Sequence, residues 1–409
     1  MGAGEARARH RDGLYSSDMP SDAARTEHAR WALELTATPT AAGREQRVVS
    51  YIERWVAARS DLALTSDPAG NLVVARRDPG AASVPPLFIT AHLDHPAFVV
   101  ERIIGPGTLG VGFRGGVLNP YFEEAPVVFF AAGRGDARAP GKVIHSTAQE
   151  PYRQCVVELD GAATVESTGL AIGDVGRWAL PEAHISAEGE LCTDACDDLA
   201  AAAAALAAMD VLRADPAAAH VRLLFTRAEE IGFVGAIAAC KHRTMPEGSR
   251  VLALENSRSY PTDSPIGGGP IVRVGDRIST FSPALTAAVA KAAEELSKAR
   301  EKSGSPFKWQ RKLMPGGACE ASAYQAYGYD ATCICLPLGN YHNMADLQRV
   351  QDNVPEAVNA ARCGHEIISM SDYHGLVDLL VACGTSLTNI EPLVNRMEKL
   401  YAERAFVLR

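Results

Sequence analysis

No stretch of the 409-residue chain is long and apolar enough to span a bilayer. The best candidate, the alanine-rich run 200–208, is only mildly apolar and is broken by Met209-Asp210. The N-terminus is polar and charged and lacks the apolar core of a secretory signal. Positive charge is also scarce. The net charge is -9, and no basic run is interleaved with aromatics, so the footprint of a nucleic-acid binder is missing. Paired cysteines are missing too. Nine cysteines, an odd number, lie scattered at 155, 192, 196, 240, 319, 333, 335, 363 and 383. Most sit in apolar segments and read as reduced core residues of a cytoplasmic protein. Cys192 and Cys196 have no second cysteine pair to complete a separate zinc site. There is no internal repeat.

What is present is ordinary globular composition, 47% hydrophobic and 22% charged, on a chain long enough for two domains. Residues 1–20 are rich in Gly, Ala, Arg, Ser and Asp and are expected to be a disordered tail. Ser21 is a candidate cap for a first helix ending near Thr36. Near-continuous apolar runs at 86–91, 221–225, 251–254 and 331–338 predict strands buried on both faces. Helical periods lie between them, notably at 197–213, 232–242, 282–302 and 319–327. Alternating strands and helices predict an α/β fold, a mainly parallel or mixed sheet flanked by helices on both faces. From 105 to 187 the texture changes to short strands with frequent Gly and Pro. This span is expected to be an inserted β-rich domain, dividing the α/β domain into 21–104 and 188–409.

The strand ends carry the chemistry. His92-Leu93-Asp94 follows one apolar run, and Glu229-Glu230 follows another. Asp197-Asp198 opens the alanine-rich helix, where carboxylates also suit the helix dipole. Glu255 ends a third strand, and His342 follows a fourth. Acids and imidazoles at the carboxyl edge of a sheet are the arrangement expected of a metal centre. His92, Asp197 and Glu255 would hold one cation. Asp197, Glu230 and His342 would hold a second, with Asp197 bridging. These mixed nitrogen and oxygen ligands suit zinc, cobalt or manganese. Asp94, two residues beyond His92, is expected to fix the imidazole through its second nitrogen. A water shared by two cations loses a proton readily. Glu229 is the candidate base that takes the proton and passes it to a leaving amine.

In this order the set resembles the co-catalytic metallopeptidases, and among them the tetrahedral, or glutamyl/deblocking, aminopeptidases. The stretches that carry the likeness are Ala91-His92-Leu93-Asp94-His95-Pro96, Asp197-Asp198-Leu199, Ala228-Glu229-Glu230-Ile231-Gly232-Phe233 and Gly316-Gly317-Ala318-Cys319-Glu320-Ala321. The resemblance covers about residues 22–400. It implies two divalent metals per chain, zinc first, a peptide or small amide substrate, and a homo-oligomer. It also implies an insertion that lies over the site and shapes the oligomer. The chain departs from the family pattern at four places. Glu255 stands where the family has Asp, and Asp94-His95 where it has Asp-Glu. Glu320 follows Gly-Gly-Ala-Cys in place of an Asp after Gly-Gly-Thr. Asn340-Tyr341-His342-Asn343 replaces Tyr-Ile-His-Ser.

Release of N-terminal residues is therefore the expected activity. An amidohydrolase or carboxypeptidase-like activity on N-acyl or modified amino acids is the alternative raised by Glu255. A non-catalytic, metal-stabilised binding protein is a third reading, but it has no need of Glu229. His95 is expected at the surface or in a structural role, with a substrate-facing position as the alternative. Glu320 is a candidate for a substrate amine or for a helix cap. Lys308, Arg311 and Lys312 are expected on a solvated face.

Overall fold

The computed structural model describes residues 20–78, 84–388, 390 and 392–408. The expected tail, 1–20, lies outside the described residues except for Pro20. No helix among them is long and apolar enough to cross a membrane.

The larger unit is built on an eight-stranded sheet. Its order is Leu62–Ser66, Leu72–Arg76, Val221–Thr226, Leu87–His92, Arg250–Arg258, Asp330–Leu338, Ile271–Arg273 and Gln310–Lys312. The four central strands, Val221–Thr226 to Asp330–Leu338, run parallel. Antiparallel neighbours join at both sides, so the sheet is mixed. All six residues of Leu87–His92 are buried, as expected of a strand covered on both faces.

Helices Asp22–Thr36, Leu199–Leu212, Pro283–Lys302 and Met370–Ser386 pack into one apolar layer with one face of the sheet. Val234–His242 and Glu320–Ala326 cover the other face. The Leu199–Leu212 helix is buried along almost its whole length. Its alanines let the sheet and two neighbouring helices approach closely, and a chain this small in side chain fits a tight three-layer core. Ser21 caps the first helix by accepting the Ala24 amide at 3.2 Å.

A second unit is a closed barrel of six strands, in the order Ala97–Gly105, Thr108–Arg114, Arg153–Leu159, Ala137–Thr147, Pro126–Ala131 and Val175–Trp178. Phe98, Phe113, Phe122, Phe129 and Trp178 fill it, with Phe98 and Trp178 edge-to-face at 4.9 Å. The strand Ala97–Gly105, most of which falls within the span 21–104 expected to belong to the α/β domain, is hydrogen-bonded within the barrel. Only Leu93, Asp94, His95 and Pro96 separate it from the Leu87–His92 strand, too little sequence to signal the change of sheet.

Three elements were not legible in the sequence. The short strands Ile271–Arg273 and Gln310–Lys312, at one side of the large sheet, are too brief to show a period. The small sheet His184–Ile185, Glu190–Thr193 and Glu366–Ser369 joins segments far apart in the chain.

Candidate metal centre

Parallel strands deliver their carboxyl ends to one edge, and that edge gathers the predicted residues. His92 is the last residue of its strand, paired in register with Thr226. Glu229 and Glu230 follow Thr226 by a turn, with Ala228 in the left-handed region at φ 54°. Glu255 lies in the next strand over, and His342 follows the strand after that.

Around Asp197 the two predicted ligand sets take shape. His92 Nε2 lies 3.4 Å from Asp197 Oδ1 and 3.9 Å from Glu255 Oε1. His342 Nε2 lies 3.4 Å from Asp197 Oδ2 and 3.5 Å from Glu230 Oε2. In each set the donor atoms stand within 4.8 Å of one another. Glu229 Oε2 is 3.9 Å from His92 Nε2.

The donor chemistry fits cations. Asp197 Oδ1 and Glu230 Oε1 are buried without a hydrogen-bond partner. Asp197, Glu229, Glu230 and Glu255 crowd together, and among the described residues none has a lysine or arginine ion-pair partner. Burial pushes Glu229 up to about 8, against the pull of His92 and with the push of Asp94, Glu320 and Asp197. Glu230 and Glu255 are pushed well above the carboxylate range by burial and by Asp197. Burial opposes ionisation of Asp197 as well, yet His342 and His92 hold it well below its usual value. Buried acids with so little compensating charge are what a bound divalent ion would neutralise.

The surrounding bonds set the ring orientations. His92 Nδ1 is 3.1 Å from the backbone oxygen of Asp94, so Nε2 is left free to face the centre. The expected contact to the Asp94 carboxylate is longer, 3.6 Å. That carboxylate instead accepts the amides of Glu229 at 2.9 Å and Glu230 at 3.0 Å. His342 Nδ1 meets the Gly116 oxygen at 2.7 Å, which again leaves Nε2 to the centre. The loop after the barrel strand Thr108–Arg114 thus contributes a contact to the centre. The Leu199–Leu212 helix begins after Asp198, whose side chain makes no cap. Asp198 Oδ2 instead accepts the His92 amide at 3.2 Å, and Oδ1 faces Asn256 Nδ2 at 3.2 Å.

Residues 70–355 match the family described as M42 glutamyl aminopeptidase. The chain belongs to this family. It is a metallopeptidase by that membership. No curated protein sequence matches it. Among solved structures, the TET1 peptidase of Pyrococcus horikoshii aligns at 20% identity and TM-score 0.67, over 88% of this chain and 99% of that one. That peptidase can assemble into a tetrahedron or a large octahedral shell. An aminopeptidase from the archaeon Desulfurococcus kamchatkensis aligns at 20% identity and TM-score 0.68, covering 89% and 95%. A TET aminopeptidase from a marine-sediment archaeon of the Thaumarchaeota aligns at 17% identity and TM-score 0.69, covering 90% and 98%. At these identities the likeness concerns the fold.

In this M42 chain several site residues escaped the sequence reading. Glu366, fully buried, accepts the amides of Asp197 at 2.9 Å and His342 at 2.8 Å. Glu45 accepts the Ala228 amide at 3.1 Å and pairs with Arg227 at 2.7 Å, which secures the turn before Glu229. Asn343 Nδ2 donates to Asp194 O at 2.9 Å. His95, expected at the surface or in a structural role, is not at the surface but buried, its Nδ1 on Asp197 O and its Nε2 3.1 Å from Asn343. A residue-type pattern cannot find such partners, because their bonds run to backbone atoms of remote segments. Glu320 is 2% exposed, bonded to the Tyr324 hydroxyl at 3.2 Å, and burial pushes it up to about 7. It therefore lies within the protein beside the centre. Of the basic cluster, Lys312 pairs with Asp263 at 2.6 Å, and Lys308 meets Gly267 O at 3.2 Å.

Proposed function

We propose that the chain is an aminopeptidase that uses two divalent metals, zinc first and cobalt or manganese as alternatives. His92, Asp197 and Glu255 would hold one ion, and Asp197, Glu230 and His342 the other. Bound there, the metals would supply Lewis-acid polarisation of the scissile carbonyl and acidify water.

The chain's own groups do the rest. Glu229 stands beside both ligand sets, 3.9 Å from His92 Nε2, and also forms a third close group with His92 and Glu230. Its carboxylate takes a proton from the attacking water and returns it to the departing amine. Asp94 fixes its position by holding the Glu229 and Glu230 amides together. Tyr341 stacks on His342 with centroids 3.8 Å apart. Burial and the carboxylates of Asp197, Glu230, Glu255 and Glu229 hold its phenol well above its usual value. It stays protonated, a donor for the substrate's carbonyl oxygen.

The observation that carries this reading is the sharing of Asp197 by two histidine–carboxylate sets, with Glu229 in reach of His92 alongside. The barrel, through Gly116, is the wall of the site and an assembly surface. The oligomeric state of the TET relatives supports a homo-oligomer.

The test is a panel of free-amine aminoacyl anilides and peptides set against N-acyl amino acids, with and without added zinc, cobalt or manganese. Cleavage of free-amine substrates is expected. Cleavage of acylated compounds alone would replace this proposal with the amidohydrolase reading and direct attention to Glu255.

A further inference from the structure

The two ligand sets have a common support outside the sequence span that matches the family, which ends at residue 355. The strand Glu366–Ser369 pairs on one side with Glu190–Thr193, in the register Thr193↔Glu366. On the other side, Ile367 exchanges hydrogen bonds with Gly339 at 2.9 and 3.2 Å. From Thr193 the chain runs on to Asp197. From Gly339 it runs on to His342. Glu366 therefore stands where the two ligand-bearing loops diverge.

Its carboxylate spans the gap. Oε2 accepts the Asp197 amide at 2.9 Å, and Oε1 accepts the His342 amide at 2.8 Å. The side chain is fully buried and has no lysine or arginine ion-pair partner among the described residues. A buried acid that meets only backbone amides is costly unless those amides need it. Here they do. Asn340, His342 and Asn343 all hold left-handed backbone, at φ 51°, 53° and 64°. Non-glycine residues keep such conformations only where the surroundings over-determine them. The second brace on His342 is the Gly116 oxygen, which acts on the ring and leaves the backbone to Glu366.

We infer that Glu366 is a positioning residue that sets the separation between the bridging ligand Asp197 and the terminal ligand His342, and so the affinity of the Glu230–His342 site for its metal. This rests on the two-metal reading above. Glutamine in its place has one acceptor oxygen and one donor nitrogen, so one of the two amides loses its partner. Aspartate is too short to reach both.

The experiment uses full-length, metal-stripped protein titrated with cobalt(II). Affinities come from competition with a chelator, and the visible spectrum reports the ligand geometry. Wild type is expected to take two equivalents. In Glu366→Gln one of the two equivalents should bind about 10- to 100-fold less tightly, the usual loss when a partner of a metal ligand is removed. Its cobalt spectrum should change, kcat should fall, and KM should move less than about threefold. Glu366→Asp serves as the second variant and should show the same order of loss. Unfolding of the metal-free proteins by denaturant separates positioning from general stability. Two wild-type-like equivalents in Glu366→Gln, with an unchanged spectrum, would overturn the inference and leave the proposed function intact. So would a loss of unfolding stability with no selective loss of one equivalent. A wild type that binds fewer than two equivalents would overturn the two-metal reading itself.

Discussion

Asp94 holds Glu229 by its backbone, with the Glu229 amide 2.9 Å from Asp94 Oδ1. The other oxygen takes the next amide, that of Glu230, at 3.0 Å. One carboxylate just past the His92 strand thus sets the place of both the proposed base and a proposed ligand, in the turn after the neighbouring strand. At the same time the Asp94 backbone oxygen orients the His92 ring.

Replacing Asp94 with asparagine should therefore disturb catalysis more than folding. Asparagine can accept from one amide only and turns a donor toward the other. We expect kcat to fall by about 10- to 100-fold, the order seen when partners of metal-site residues are lost. Metal content by elemental analysis and kcat on a free-amine anilide check this. Wild-type kcat with full metal content would refute the role.

The turn that carries Glu229 is packed with little slack. A Cβ added at Gly235 would run into the Arg227 backbone and stand 2.8 Å from Asn71 Oδ1. That backbone cannot yield without moving the Arg227 to Glu230 segment, since the Gly235 amide donates to Arg227 O at 2.8 Å. Gly235→Ala should cost about 1–3 kcal/mol, the usual penalty of overpacking. Denaturant unfolding measures it, and a change below about 0.5 kcal/mol, the range of a neutral surface substitution, would refute the packing argument.

Acid should weaken the fold through His374 in the Met370–Ser386 helix. Burial, with the charges of Arg25 and His28, lowers its pKa from 6.5 to about 4, and its Nδ1 has no hydrogen-bond partner. Well above 6.5 the ring is neutral in both folded and unfolded chains, and it contributes nothing to the pH dependence. As pH falls below that value the unfolded chain takes up the proton first, so folding stability drops until the native ring also titrates near 4. The loss from this residue is at most about 3 kcal/mol. His374→Gln should flatten the fall in unfolding free energy between pH 7.5 and 5. An unchanged slope would refute it.

The sequence revealed the fold where a period or an apolar run was long enough. The strands ending at His92, Thr226 and Leu338 and the Pro283–Lys302 helix are cases in point. It also marked His92, Asp197, Glu230, Glu255 and His342 as candidates, because acids and imidazoles beside apolar runs stand out by residue type, and the fold brings them together around Asp197. The supports were a different matter. Glu366 and Glu45 act by accepting backbone amides, and an amide leaves no trace of its partner in residue type. Asp198 stands at the N-cap position of its helix, yet its side chain makes no cap bond and its carboxylate turns to the His92 amide. The bond from His342 to Gly116 needs the barrel set against the sheet, and no local pattern encodes that approach.

The central claim is that Glu229 moves the proton while its neighbours hold the metals. The measurement that tests it most directly is turnover of Glu229→Gln alongside its metal content. We predict about two divalent ions per chain, as in wild type, with kcat lower by about 10²- to 10⁴-fold, the usual contribution of a general base. Turnover close to wild type, with both metals still bound, would contradict the account.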